Sequence, residues 1–89
     1  MVESHLLIFY GEECEICHQM DEKIFKPMEK EGFKFKRLEV WHNDANKRKM
    51  MQLTDGQCRQ LPMLFNTKTS KWLCGSQGSS AVKKWAKGE

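Results

Sequence analysis

The 89-residue chain has no apolar stretch approaching the length of a membrane span, which argues against a transmembrane role. It has no internal repeat, no low-complexity segment and no stretch of linker composition, so a solenoid, a disordered arm and a two-domain arrangement are disfavoured. Its cations are not concentrated either. They are scattered through Lys34, Arg37, Lys47, Lys49, Lys84 and Lys87 among others, and the formal net charge is only +3. So diffuse a charge is not a nucleic-acid footprint. The start, "MVESHLLIFYGEE", lacks the basic leader and small-residue cleavage site of a signal peptide, so the expected setting is a reducing cytoplasm.

What remains is a single domain over residues 1–89, 39% hydrophobic and 30% charged. A chain this short buries roughly 60–65% of its unfolded surface, so its stability is marginal and a disulfide or a metal can matter structurally.

The stretch "YGEECEICHQ" holds Cys14 and Cys17 three positions apart, with His18 directly after. That spacing suits a reversible disulfide, a zinc half-site or a covalently attached haem. Zinc wants four ligands, and His18, His42, Cys58 and Cys74 offer no second paired spacing. Covalent haem implies export and usually a helical fold, and neither is indicated.

His5 to Tyr10, "HLLIFY", is an apolar run of strand length, as expected of a central strand buried on both faces. From about Glu15, Cys17, Met20, Ile24 and Met28 recur at helical spacing; Pro27 is expected to end or kink that helix and Gly32 to stop it. Phe33 to Trp41 reads as a second strand, and "HNDAN" as a turn with capping residues. A short helix follows from Asp44 to Leu53, closed by Asp55-Gly56. "LPMLFN" and "KWLCG" flank "TKTS" as a hairpin with a four-residue loop. Ser79 or Ser80 then caps a last helix with Val82, Trp85 and Ala86 inward. The methionines Met20, Met28, Met50, Met51 and Met63 read as core filler, and so do Trp72 and Trp85; Trp41, at a strand end, fits either packing or a binding surface. The order is βαβαββα: a right-handed crossover makes the first two strands parallel, the hairpin is antiparallel, and an α/β fold with a mixed four-stranded sheet and helices on both faces follows.

This ordered set resembles a thioredoxin-fold protein of glutaredoxin size. "LLIFYGEECEIC" resembles the first strand and redox motif, "LTDGQCRQLPMLFN" the approach to the family's cis-proline strand, and "WLCGSQGSSAVKKW" the last strand, glycine turn and final helix. "CEICHQMDEKIF" is similar to thioredoxin-like protein-disulfide reductases in which His follows the second cysteine. The resemblance implies a thiol-disulfide oxidoreductase with catalytic Cys14 and Cys17, a cis Leu61-Pro62 bond, and substrate contacts at Leu61, Pro62, Gly75 and Ser76. It implies no cofactor beyond the redox-active disulfide, with glutathione possible as reductant. The implied partners are a disulfide-bearing protein or small thiol and an electron donor, with no nucleic acid, no membrane and a monomeric chain.

Departures from the family pattern are specific. Gly11 stands where glutaredoxins commonly have a glutathione-binding lysine, and Ile8 where thioredoxins have a buried aspartate. Glu13 and Glu15-Ile16 replace the usual Trp and Gly-Pro, and Gln60 replaces a threonine. A thiol at the start of a helix gains from unpaired N–H groups and the positive helix end, so Cys14 is expected to be the exposed nucleophile and Cys17 the buried resolver. Glu12, Glu13 and Glu15 oppose that thiolate by like charge, which points to a reducing disulfide. Cys58 and Cys74 are expected at the same end of the sheet. There they either form a second disulfide or act as small hydrophobes, the latter being favoured by a reducing compartment. The alternatives to the enzyme are a metal protein, with zinc or a bridged iron-sulfur cluster, and a thioredoxin-fold interaction module.

Overall fold

A computed structural model describes residues 5–89; the first four residues, which enter the reading of the leader, lie outside the described residues. The strands are β1 (Leu6–Tyr10), β2 (Phe35–Glu39), β3 (Met63–Asn66) and β4 (Lys71–Cys74). They form one mixed sheet in the order β2-β1-β3-β4, with β1 and β2 parallel and the other two pairs antiparallel.

Successive strand side chains point to opposite faces, and here each face is covered. Leu6, Ile8 and Leu64 face one core with Met20, Phe25, Met28, Val82 and Trp85 from the first and last helices. Leu7, Phe9, Met63 and Phe65 face a second core with Val40, Met50 and Cys58. Helices therefore lie on both faces, as the sequence order suggests. Met20, Met28, Met50 and Met63 are core residues, whereas Met51 is only half-buried.

The first helix starts as α1 (Glu15–Met20), widens into a π-helical turn (Asp21–Phe25) and continues as α2 (Lys26–Lys30). Pro27 does not end it. The Lys26 N–H reaches the Asp21 carbonyl five residues back, and this wider turn just ahead of Pro27 accommodates the ring and the missing N–H without stopping the helix. The stop comes at Gly32, whose φ of +108° suits glycine. β2 is shorter at both ends than the Phe33–Trp41 expectation.

Helix α3 (Asp44–Thr54) is capped by Asn43, whose side chain accepts from the Asn46 N–H, and it closes at Asp55 in the left-handed region. Helix α4 (Ser79–Lys87) begins after Gly78, without a side-chain cap, so the capping role expected of Ser79 or Ser80 is corrected: both already lie inside the helix. The hairpin loop is held by buried Asn66, which accepts from the Lys68 and Thr69 N–H groups and donates to the Trp85 carbonyl. Among the described residues no helix is long and apolar enough to cross a membrane.

Candidate functional site

β1 ends at Tyr10, and the chain turns through a Cys14 N–H to Gly11 carbonyl bond into α1. Cys14 is the N-cap. Its sulfur accepts the Cys17 backbone N–H at 3.3 Å, one of the donors that a helix start leaves unpaired. This folds the side chain over the first turn, so Cys14 is 9% exposed against 3% for Cys17. The expectation of an exposed Cys14 is corrected: both thiols are buried, Cys14 because its sulfur turns inward to cap the helix. Both are free thiols in this structure. Burial, reinforced by a hydrogen bond with Cys14, pushes the Cys17 thiol up to about 12.

The antiparallel register sets Met63 opposite Phe9, so the start of β3 lies beside the end of β1. Pro62 immediately precedes it, and the Leu61-Pro62 peptide is cis. The Pro62 carbonyl accepts the Gly75 N–H at 3.0 Å, bringing Gly75 and Ser76 to the same end. Cys14, Cys17, Leu61, Pro62, Gly75 and Ser76 thus share one end of the sheet. The N–H and C=O of Leu61 have no hydrogen-bond partner among the described residues.

Cys58 and Cys74 are joined in a disulfide, with Cα atoms 5.7 Å apart. This corrects the expectation of two separate small hydrophobes: the Met63–Cys74 pairing brings Cys74 to the segment that leads into β3. The zinc alternative loses both as free donors. The one group of three ligand-type side chains in reach among the described residues is Glu12, Glu13 and His42, which includes neither motif cysteine.

At this end the sequence did not single out Glu39, nor show how His18 and His42 pair with the acidic loop. The Glu39 carboxylate accepts three backbone N–H groups, from Glu12, Trp41 and His42, tying the loop after β1 to the loop after β2. The slight burial of Glu39 pushes its carboxyl up, but these three donors outweigh it and hold the group below the usual carboxylate range. His42 Nε2 lies 2.6 Å from Glu13, whose carboxylate raises the imidazole above its ordinary value. Two of the three crowding acids, Glu13 closely and Glu12 at 3.9 Å, therefore face His42 as ion-pair partners. His18 Nε2–H donates to the Glu12 carbonyl at 2.5 Å.

Beneath the motif, Ile8, Tyr10, Cys17, His18, Asp21 and Arg37 surround most of a cavity of about 160 Å³. Arg37 lies opposite Ile8 in the parallel register. It is held by Asp21 at 2.6 Å and by both oxygens of Glu29 at 2.8 and 3.0 Å. In the sequence Arg37 is one of two adjacent cations in this strand, beside Lys36, and nothing local sets it apart.

Among large hydrophobic side chains in the described residues, Ile16 and Trp41 stand exposed, at 48% and 52%, and both border the motif. Ile16 lies between the two cysteines, and Trp41 lies on Gly11. Compared with known families and curated proteins, the chain matches no family model and no curated protein significantly.

Proposed function

We propose that this chain is a thioredoxin-like thiol-disulfide oxidoreductase that reduces disulfides of proteins or small molecules through the Cys14–Cys17 dithiol. The observation that carries the reading is the hydrogen bond from the Cys17 N–H to the Cys14 sulfur at a helix start, beside the unpaired backbone of Leu61. In water-poor surroundings a fixed N–H donor favours negative charge on the sulfur it faces.

In the proposed cycle the Cys14 thiolate attacks one sulfur of the substrate disulfide. A Cys14–substrate disulfide forms, and the first substrate sulfur leaves as thiolate. Cys17 then gives up its proton, which neutralises a departing thiolate, and attacks the Cys14 sulfur. The Cys14–Cys17 disulfide forms and the second substrate thiol is released. The substrate has gained two electrons and the enzyme has lost two, which a dithiol donor or glutathione returns. Leu61 offers an N–H and a C=O to an extended substrate strand, and Gly75 and Ser76 flank its path. Ile16 and Trp41 supply apolar docking surface on either side.

The reading sets the chain in the cytoplasm as a monomeric electron carrier in redox homeostasis. An insulin-reduction assay tests it: the reduced protein should accelerate precipitation with glutathione or a thioredoxin-reductase system as donor. No acceleration with either donor, or a potential near that of strong oxidants, contradicts it.

A further inference from the structure

Next to the motif, Trp41, Lys47, Met50, Met51, Arg59 and Leu61 line most of an open groove of about 380 Å³. Its floor is apolar, with Met50 buried and Met51 and Leu61 half-buried. Its rim carries two exposed cations, Lys47 and Arg59, whose side chains meet no carboxylate among the described residues. Some other exposed lysines likewise meet no carboxylate among the described residues, while Lys26, Arg37 and Lys83 are ion-paired; what distinguishes Lys47 and Arg59 is that they stand together on the rim of an apolar groove. The groove thus joins an apolar floor to unmatched positive charge.

Leu61 belongs to both surfaces. Its backbone N–H and C=O are unpaired beside the motif, and its side chain lines the groove. A strand pairing with that backbone sends alternate side chains to opposite sides at about 3.3 Å per residue. A side chain roughly two residues from the paired position therefore enters the groove, and an acidic one there meets Lys47 and Arg59. Glu12 and Glu13 follow Gly11 under the Trp41 ring and repel an acid placed over the motif itself.

We propose that this groove binds an acidic side chain of an extended peptide substrate, giving the protein a preference for disulfides with Asp or Glu near the reacting cysteine on one side. The catalytic consequence rests on the oxidoreductase reading; the binding does not. A reading of side-chain charge is thereby added to backbone pairing that is blind to sequence.

The test is an NMR titration of the reduced protein with thiol-free peptides in which alanine replaces the cysteine, carrying Glu or Lys on either side. One Glu peptide should bind about threefold to tenfold more tightly than its Lys counterpart. It should shift the Trp41 indole N–H and the Met51 and Leu61 amides, and weaken as salt rises. The exposed double variant K47Q/R59Q should lose the preference. Equal binding of Glu and Lys peptides, shifts outside the groove, or the same shifts from a thiol-free glutathione analogue with alanine in place of cysteine at equal concentration would overturn the proposal. Groove binding without any insulin reduction would overturn the oxidoreductase reading alone, and charge-blind binding with insulin reduction intact would overturn the groove alone.

Discussion

The Trp41 ring rests directly on the backbone of Gly11: a Cβ at residue 11 would fall 2.3 Å from the ring. No side chain fits there while the ring stays. Gly11 is thus required by a tryptophan 30 positions away, whose exposed ring covers the loop that leads to Cys14. Gly11→Ala should push the ring off the loop, at a cost of about 1–3 kcal/mol. A changed Trp41 indole signal in NMR and slower insulin reduction would show it; an unchanged signal would contradict the packing.

The Cys58–Cys74 bridge closes a loop with a sequence separation of 16. A loop of that length constrains the unfolded chain by about 3 kcal/mol on the chain-entropy account. The double Ala variant should therefore unfold about 2–4 kcal/mol more easily in urea. With free thiols alkylated after a reduction mild enough to leave Cys14 and Cys17 as thiols, mass spectrometry of the digest should still find the Cys58–Cys74 peptide pair. Two free thiols at 58 and 74 would contradict the bridge.

His42 gains a partner in Glu13 on folding, and its imidazole is held above its ordinary value. A raised value means that the folded state binds this proton more tightly than the unfolded chain does. The contribution to stability is complete below the unfolded value near 6.5 and is lost as pH rises through the folded one. His42→Gln should remove that pH dependence. An NMR titration giving His42 a pKa below 6.5 would contradict the ion pair.

Arg37 supports the cavity floor beside Cys17 through Asp21 and Glu29, and the Glu29 carboxyl is held low by that guanidinium. Arg37→Met leaves two half-buried carboxylates unpaired and should cost about 1–3 kcal/mol. Thermal unfolding checks this; an unchanged midpoint would contradict it.

The cysteine pair was legible because its chemistry lies in a spacing of three residues, and the element order because each element has a local period or punctuation. "HLLIFY" announced burial but not its division between two cores, since a continuous apolar run carries no alternation. The π-helical turn escaped because the pattern Met20, Ile24, Met28 runs through Pro27 unbroken. The Glu39 clip, the Arg37 triad and the Gly11–Trp41 contact escaped for a different reason: each joins residues 8 to 30 positions apart, and no local signal marks such pairs. The buried state of Cys14 belongs with them, being set by the direction its sulfur takes in capping the helix.

The central claim is the division of labour between Cys14 and Cys17, and mixed-disulfide trapping tests it most directly. Reduced wild-type protein should be alkylated at neutral pH at Cys14 first, because the Cys17 thiol, pushed up to about 12 by burial, stays protonated. Incubated with a disulfide substrate, Cys17→Ser should accumulate a covalent Cys14–substrate adduct visible by mass spectrometry, since nothing resolves it. Cys14→Ser should accumulate none. An adduct on Cys17 in the Cys14→Ser protein, or no adduct with either, would contradict the account.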